Sequence, residues 1–374
     1  MESLMKVLVT GGAGFIGSFI VDELIRRGHT VRILDNLDPQ VHPGGEKPAY
    51  LNPHAEFMQG DVRDAETLKK ALDGREIVFH EAAAVGMGQS QYLIRHYVDV
   101  NIGGTANLLD ILANTKHSVQ KLIVAASQSS YGEGCCACPR HGVIKPDFRE
   151  EEQLQAHRWE HECPQCGELM PPVPTPETTP MDCRAIYAMS KRDQEEMALN
   201  IGRTYNLPTV ALRYFNVYGP RQSLSNPYTG VLAIFMSRLA NGNSPVIYED
   251  GLQTRDFISV HDIVQANLLA MENDNANYQV FNVGMGIPTT IKDVALMLAK
   301  VLSSPIEPTI SLKYRKGDTR HSYADITKIQ SALNYQPRVT LEEGMKELVE
   351  WSRTVNAEDK FEQAAKELAA RGLA

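Results

Sequence analysis

A glycine-rich turn near the start of the chain constrains its fold most. The β-branched run Lys6–Thr10 leads into the sequence TGGAGFIG over 10–17, and a helical pattern follows. A strand, a glycine-rich turn and a helix in this order are typical of the unit that binds a pyrophosphate at a helix N-terminus. Gly11, Gly14 and Gly17 are therefore predicted to permit the tight turn, the close approach of a dinucleotide and close helix packing.

The second predicted strand ends in an acidic residue. Asp35 follows the β-branched run 31–34 and lies 24 residues (35 minus 11) after Gly11. The carboxylate that binds the ribose of a dinucleotide stands about 20 residues from the glycine-rich turn. Such a carboxylate accepts hydrogen bonds from both ribose hydroxyls and repels a 2′-phosphate. The sequence therefore favours NAD over NADP.

Residues after the next two strands predict the rest of the cofactor site. Asp61 and Val62 follow the third strand and are expected to face the adenine, with a solvated turn acid as the alternative. The small residues of 82–84 follow the fourth strand and would let a dinucleotide pass close to the backbone, unless they serve only close packing. The predicted cofactor contacts are Gly11, Gly14, Phe15, Ile16, Gly17, Asp35, Asn36, Asp61, Val62, Ala82, Ala83, Ala84, Asn101, Tyr187, Lys191 and Tyr214.

Short apolar runs alternate with helical patterns through the first third of the chain. The runs Ile77–His80 and 122–126 resemble buried parallel strands, and 105–112 carries leucines on one helical face. We therefore predict an α/β fold, with a Rossmann-type doubly wound parallel sheet, a smaller mixed α/β substrate domain and a small Cys/His metal-binding insertion.

The same patterns give domain boundaries. Residues 1–213 are predicted to form the NAD-binding domain, with a zinc-ribbon-like insertion over 133–180. Residues 214–352 would form a nucleotide-sugar-binding domain, from which the chain crosses back to the first domain near 257–283. A charged, alanine-rich pattern over 353–374 predicts a peripheral helix.

Composition narrows the classes of partner. The 374 residues are 43% hydrophobic and 22% charged, with a formal net charge of −9. An acidic chain is a poor generic ligand for nucleic acid or anionic membranes. The longest apolar runs are far shorter than the roughly 20 residues of a membrane span. A strand begins too early to leave room for a signal peptide, so we expect a cytoplasmic protein.

Three residues suggest acid–base chemistry at the carboxyl edge of the sheet. Tyr187 and Lys191 are spaced i, i+4, so both lie on one helical face. A nearby ammonium and the positive nicotinamide ring would favour the phenolate, which could take a proton from a sugar hydroxyl. Ser127 ends the strand 122–126 and would supply a hydroxyl donor, with Ser129 as a weaker substrate contact. An ordinary surface pair is the alternative for the tyrosine and lysine.

Five of the six cysteines lie between Cys135 and Cys166, where the strand and helix pattern stops. Two short sequences, CPRHG over 138–142 and CPQCG over 163–167, share a ligand pair followed by glycine, which suits a knuckle around a tetrahedral ion. The predicted ligands of a structural zinc ion are Cys138, His141, Cys163 and Cys166. A set in which Cys135 replaces His141 is the rival, and a metal-free insertion is the third possibility.

In combination these motifs resemble the extended short-chain dehydrogenases of the NAD-dependent epimerase/dehydratase family. The resemblance rests on TGGAGFIG at 10–17, GDV at 60–62, YAMSK at 187–191 and RYFNVYGPR at 213–221. It implies a catalytic Ser127, Tyr187 and Lys191 on bound NAD, a nucleotide-sugar substrate and a homodimer paired through the helices of Tyr187 and Thr105. The implied substrate contacts are Ser127, Ser129, Tyr187, Asn216, Arg255, Arg315 and Asp318.

The residues after Ser127 favour one reaction of this family. Members that eliminate water typically carry Asp-Glu there, whereas this chain has Gln128 and Ser129. Neither side chain titrates near neutral pH, so dehydration lacks its acid and base. The resemblance then implies epimerisation at C4 of dTDP-L-rhamnose or a UDP-hexose. A net nucleotide-sugar oxidoreductase or dehydratase, and an NAD-binding regulator that uses the zinc ribbon to bind a partner, are the alternatives.

Overall fold

The computed structural model describes residues 4–373. Its strands are β1 (Lys6–Thr10), β2 (Thr30–Asp35), β3 (Glu56–Gln59), β4 (Ile77–His80), β5 (Lys121–Ser127), β6 (Cys136–Cys138), β7 (Gly142–Ile144), β8 (Thr209–Tyr214), β9 (Asn216–Tyr218), β10 (Val246–Ile247), β11 (Thr254–Arg255), β12 (Phe257–Ser259), β13 (Val280–Val283), β14 (Thr289–Thr290), β15 (Thr309–Ile310) and β16 (His321–Ser322).

The α-helices follow the periodic apolar patterns of the sequence. They are α1 (Phe15–Arg26), α2 (Ala65–Leu72), α3 (Met87–Ser90), α4 (Ile94–Tyr97), α5 (Gly104–Asn114), α6 (Glu151–Gln155), α7 (Ile186–Thr204), α8 (Val231–Ala240), α9 (Val260–Glu272), α10 (Ile291–Val301), α11 (Thr327–Leu333), α12 (Leu341–Ser352) and α13 (Phe361–Ala369). A π-helical segment, Val98–Gly103, joins α4 to α5. No helix within residues 4–373 combines the length and hydropathy needed to span a bilayer.

A seven-stranded parallel sheet confirms the predicted Rossmann-type fold. The strand order is β3-β2-β1-β4-β5-β8-β13, and every neighbouring pair is parallel. Strands β4, β5 and β8 are buried along their whole length, which is why they have continuous apolar runs rather than alternating patterns. The chain order reverses between β1 and β4, so a crevice forms at the carboxyl ends of these two strands.

Alternate side chains of β1 face different helical layers. Val7 and Val9 pack in one apolar core with α1 and α9, whereas Leu8 packs in another with α2, α5 and α7. Between the layers, the buried imidazole of His80 bonds the hydroxyls of Thr10 (2.9 Å) and Thr105 (3.0 Å). Burial lowers the pKa of His80 to about 3, so the ring stays neutral and fixes β1 and β4 to α5.

The second half of the chain contributes to both parts of the molecule. Helices α8, α10 and α12 enclose a separate apolar core, beside the small mixed sheet β14-β11-β16 and the pairs β10-β15 and β9-β12. In contrast, β13 extends the large sheet next to β8, and α9 and α11 pack on that sheet through Ile263 and Ile329. The chain therefore passes between the two parts more than once.

The insertion, residues 133–180, has little apolar core of its own. Strands β6 and β7 form an antiparallel hairpin, and the buried cluster of this segment consists of Cys136, Cys138, Cys163 and Met170. A parallel bridge between Thr175 and Ala324 joins the end of the insertion to the residues after β16. Other interactions must supply the stability that this small core lacks.

The C-terminal helix α13 packs on the body of the protein. Ala364 and Leu368 are buried, and the carboxylate of Glu367 accepts hydrogen bonds from Tyr92 (3.2 Å) and Tyr228 (2.9 Å). The helix thus joins a segment after β4 to a segment after β9.

Candidate active site and metal centre

The glycine-rich turn fits a pyrophosphate. Gly11 has φ +68°, and a Cβ atom there would lie 2.7 Å from the backbone nitrogen of Ala82, so only glycine brings β1 this close to the end of β4. Gly14 is the N-cap of α1, and no side chain of residues 4–373 caps that position. The first amides of α1 are therefore available to an anion.

Asp35 stands at the carboxyl end of β2 and is almost fully buried. Its two carboxylate oxygens accept hydrogen bonds from the amides of Ala13 (3.0 Å) and Leu37 (2.9 Å). Each oxygen keeps a second lone pair for a ribose hydroxyl. Nearby, Asn36 donates to Asp61 (2.9 Å). This bond closes the edge of the predicted adenosine site.

Ser127 and Tyr187 meet at the end of β5. Helix α7 follows the insertion and brings the Tyr187 phenol close enough to the Ser127 hydroxyl for this group to influence the pKa of the phenol. Burial raises the pKa of the phenol to about 12, and the neighbouring Ser127 hydroxyl acts in the opposite direction. The Ser127 hydroxyl also accepts hydrogen bonds from the amide and hydroxyl of Ser129 (3.2 and 2.9 Å). Two of the predicted catalytic hydroxyls are thus in contact.

Lys191 is bonded to the backbone of β5. Its ammonium donates to the carbonyl oxygen of Ala125 (2.7 Å) on β5, and burial lowers its pKa to about 8, opposed by the charge of Glu81. Burial and Ser127 are the influences on the pKa of the phenol here, and the effect of Lys191 on Tyr187 with NAD bound stays a prediction. The lysine does lie one turn from Tyr187, on the face of α7 that packs against the sheet.

Glu81 is a charged residue of this site that the sequence analysis did not assign. It follows β4, and burial raises its pKa to about 7 against the hydrogen bond from Tyr214 (2.9 Å) and the charge of Lys191. The Tyr214 hydroxyl also accepts a hydrogen bond from Asn267 (2.8 Å). A carboxylate among small residues at the end of a buried strand is the signal that could have identified Glu81.

Asn101 is predicted to contact the cofactor, but its side chain is used within the protein. The carbonyl oxygen accepts from the amide of Ala84 (2.7 Å), and the amide group donates to the carbonyl of Ala84 (3.0 Å) and the hydroxyl of Ser190 (2.8 Å). The residue is fully buried in the π-helical segment. It therefore holds the loop after β4 against α7.

The predicted substrate residues from the second half lie along β9, β11 and the loop before β16. Asn216 has a buried side-chain oxygen with no partner among the described residues, as expected for a group that meets a ligand. The carboxylate of Asp318 pairs with Arg255 (3.4 Å) and Arg315 (3.1 Å). Two guanidinium groups thus converge on one loop, in an arrangement that suits a diphosphate.

The two residues after Ser127, Gln128 and Ser129, both have side chains that are hydrogen-bonded within the protein. The side-chain oxygen of Gln128 accepts a hydrogen bond from Ser322 (2.9 Å) on β16, so it is fixed in the protein. With Ser129 bonded to Ser127, neither residue offers an acid or base for elimination of water.

The structure gathers the four predicted metal ligands. The ligand atoms of Cys138, His141, Cys163 and Cys166 all lie within 4.8 Å of one another. His141 Nδ1 is 3.3 Å from the Cys138 sulfur and 3.4 Å from the Cys163 sulfur. Three sulfurs and one imidazole match the donor set of a closed, structural zinc site.

The rival ligand Cys135 points elsewhere. Its sulfur lies 3.4 Å from the Thr179 hydroxyl, and it is not part of the gathered set. The geometry therefore favours the set that contains His141.

The sheet topology, the glycine-rich turn and the Ser127, Tyr187 and Lys191 arrangement together define a Rossmann-fold protein of the short-chain dehydrogenase type.

Comparison with known proteins assigns the chain more closely. It matches the NAD dependent epimerase/dehydratase family over residues 7–154 and 162–284. It is similar to the dTDP-L-rhamnose 4-epimerase of Burkholderia thailandensis, with 35% identity over 349 residues that cover 92% of this chain and 94% of the relative. The chain therefore belongs to the NAD-dependent epimerase/dehydratase family.

Two solved structures share the fold across the chain. One is the UDP-glucose 4-epimerase of Thermotoga maritima with UDP-glucose, which has a TM-score of 0.76 and 33% identity and covers 94% of this chain and 99% of that one. The other is the UDP-glucuronic acid 4-epimerase of Bacillus cereus with UDP-glucuronic acid and NAD, at a TM-score of 0.74, 27% identity and coverages of 94% and 100%.

Proposed function

We propose that the protein is an NAD-dependent 4-epimerase of a nucleotide-diphosphate sugar. The observation that carries the proposal is the Ser127–Tyr187 contact beside Lys191 at the carboxyl edge of the sheet, next to a turn suited to pyrophosphate. Similarity to 4-epimerases that differ in their named substrates supports the reaction more than any one sugar. We place dTDP-L-rhamnose first and a UDP-hexose second.

The chain's own residues would divide the work as follows. The amides at the start of α1, with Asp35, would hold NAD, which when bound would accept the C4 hydride and return it to the opposite face. Tyr187 would take the proton of the 4-hydroxyl and later give it back. Ser127 would hold the 4-oxygen through its hydroxyl. Asn216, Arg255 and the loop of Asp318 would bind the nucleotide diphosphate while the keto sugar turns over.

The experiment that tests this function needs no added cofactor. The purified protein is incubated with dTDP-L-rhamnose, UDP-glucose, UDP-galactose and their N-acetyl forms, and the sugar C4 protons are followed by NMR. We expect one 4-epimer pair to interconvert to a constant ratio, because the hydride leaves and returns within one site. Accumulation of a keto sugar with consumption of NAD would support the oxidoreductase, and binding of NAD with no turnover would support the regulator.

We further propose that the insertion holds one structural zinc ion on Cys138, His141, Cys163 and Cys166. All six cysteines are free thiols, which is the state that metal binding requires. A reducing compartment such as the cytoplasm keeps thiols in this state. Elemental analysis of the purified protein should find about one equivalent of zinc, since four protein donors complete the tetrahedral shell.

Two cysteine variants test that ligand set. Cys163→Ser should lose the metal, whereas Cys183→Ser should keep it, because the Cys183 sulfur contacts the carbonyl of Ser130 (3.5 Å) and lies outside the set. Zinc bound equally by both variants would contradict the assignment.

We also propose a homodimer, formed through α7 and the segment from α4 to α5. Ile94, Val98 and Met189 are large apolar side chains exposed on these elements. A partner subunit that covers them would remove this apolar surface from water.

A further inference from the structure

A buried network of ion pairs joins the insertion to the loop that carries Asp318. We call it the insertion network. Its members are Glu133, Arg149, Glu160, Glu249, Asp250, Arg320 and His321. Three of these come from the insertion and four from the substrate-facing part. Glu160 and Asp250 are partly exposed, whereas the other five members are buried. Buried charges are kept only when each one is paired, so the network requires both parts to be in place.

Arg320 is the centre of the insertion network and is fully buried. Its guanidinium donates to Glu249 (2.8 Å), to both oxygens of Asp250 (2.7 and 3.0 Å) and, through Nε, to Glu160 (3.1 Å). The second oxygen of Glu160 bonds the imidazole of His321 (2.8 Å). One carboxylate of the insertion thus holds two consecutive residues at the start of β16.

Glu133 and Arg149 hold the same segment from the other side. The Glu133 carboxylate accepts hydrogen bonds from the amides of Arg320 (2.9 Å) and His321 (3.4 Å). Arg149 binds Glu249 through two parallel hydrogen bonds of 2.9 Å and donates to the carbonyl oxygen of Asp318 (3.0 Å). The backbone of the predicted diphosphate loop is therefore fixed directly by an insertion residue.

The carboxylates of the insertion network are continuous in sequence with the metal knuckles. Glu133 precedes β6, which ends at the ligand Cys138, and Glu160 stands three residues (163 minus 160) before the ligand Cys163. A metal ion that joins the two knuckles would hold both carboxylates in place at once. Without it, backbone hydrogen bonds and the few apolar side chains of the insertion would have to hold the two knuckles together.

The loop that carries Asp318 also contacts Arg255, the predicted phosphate ligand. Its guanidinium donates to the carbonyl oxygens of Thr319 (2.6 Å) and Arg320 (3.1 Å), and pairs with Asp318. The Thr319 hydroxyl in turn donates to the carbonyl of Gly132 (3.0 Å), at the edge of the insertion. Displacement of the insertion would therefore change the position of Arg255.

We propose that metal binding by the insertion positions Arg255 and the Asp318 loop for the diphosphate of the substrate. The inference rests on the proposed nucleotide-sugar function and adds a role for the metal site, which is to set nucleotide affinity. Glu160 and Arg149 act through the loop and are positioning residues. Hydride and proton transfer at Tyr187 do not depend on them.

The test is calorimetric binding of UDP and of dTDP to the full chain, before and after removal of the metal by a chelator. We expect the Kd of whichever nucleotide binds to rise about tenfold, equal to about 1.4 kcal/mol, and to recover when Zn²⁺ is restored. With the sugar substrate, KM should rise by a similar factor, kcat should stay within about twofold, and NAD content should not change.

A variant that keeps the metal separates positioning from simple unfolding. Glu160→Gln should weaken nucleotide binding at full zinc content. The matched control Glu162→Gln removes a carboxylate whose ion-pair partner among residues 4–373 is the exposed Arg158 (2.7 Å), so the Kd of this variant for the nucleotide should equal that of the parent protein. Nucleotide affinity that is unchanged in both Glu160→Gln and the metal-free protein would overturn the inference.

The outcomes distinguish this inference from the proposed function. If no sugar is epimerised but UDP or dTDP binds in a metal-dependent way, the positioning role stands and the epimerase assignment fails. Epimerisation with metal-independent nucleotide binding removes the positioning role alone. If neither nucleotide binds the zinc-loaded protein, both the nucleotide-sugar assignment and the positioning role of the metal are wrong.

Discussion

Replacement of Tyr187 by Phe should lower turnover about a thousandfold, within the range that a positioned acid or base contributes. The change deletes one oxygen from a half-buried ring, so the packing of α7 is retained. It leaves the 4-hydroxyl of the sugar with no proton acceptor in contact with Ser127. Bound NAD should remain, because the glycine-rich turn and Asp35 are unaffected. Turnover is measured by NMR on the 4-epimer pair, and NAD is measured after denaturation of the purified protein.

Tyr205 provides the matched control for that substitution. It is the C-cap of the same helix, and about half of its surface is exposed. Tyr205→Phe should retain turnover within about twofold of the parent, as expected for a surface change away from the site. If Tyr187→Phe kept a tenth or more of the parental rate, Tyr187 would not be the proton acceptor.

Arg320→Met should lower the free energy of unfolding by about 3–5 kcal/mol, the cost of removing one partner from a buried ion pair. The methionine fills much of the volume but leaves Glu160, Glu249 and Asp250 without the cation that they share. Burial opposes ionisation of Glu160, yet hydrogen bonds from His321 and Arg320 lower its pKa to about 2.

The loss of unfolding free energy in Arg320→Met should depend on pH, in a direction that follows from the lowered pKa of Glu160. A carboxylate whose pKa is lowered on folding stabilises the protein above its unfolded pKa, and this contribution is lost as pH falls towards the folded pKa. For Glu160 the window runs from about 4.5 down to about 2. The difference in stability between the parent and Arg320→Met should therefore be largest near neutral pH and shrink below about 4.5.

Arg158→Met is the control for the arginine variant. Arg158 makes an i, i+4 pair with Glu162 on the surface of the insertion, and exposed pairs of this kind contribute up to about 0.5 kcal/mol. Denaturant unfolding of the three proteins at two pH values gives the comparison. Equal losses in the two variants would show that the insertion network contributes no more than a surface ion pair.

The parts of the molecule that could be predicted from the sequence are those encoded by neighbouring residues. Strand β1, the glycine-rich turn and α1 form one continuous pattern, and β4 and β5 have continuous apolar runs between their polar ends because helices cover both faces of the sheet. The four proposed metal ligands could also be identified from the sequence, since each knuckle places its pair within four residues. The spacing alone did not decide between Cys135 and His141, because each of them stands three residues from Cys138.

The insertion network could not be predicted, because its partners are remote in the chain. Arg149 and Glu249 are 100 residues apart, and Glu133 lies 187 residues from Arg320. Charged residues in such stretches are usually solvated, and no periodicity marks the ones that become buried. The hydrogen bond from the Lys191 ammonium to Ala125 could not be predicted for a related reason, since helical spacing says nothing of a carbonyl on a neighbouring strand.

The seventh strand of the large sheet has a consequence for biosynthesis. Strand β8 is complete at Tyr214, but its neighbour β13 begins only at Val280, so about 65 further residues must leave the ribosome first. At roughly 5–20 residues per second this takes several seconds, during which an apolar strand edge is open to pairing with another nascent chain. The nascent protein therefore passes through a period in which the outer edge of β8 has no strand neighbour from its own chain.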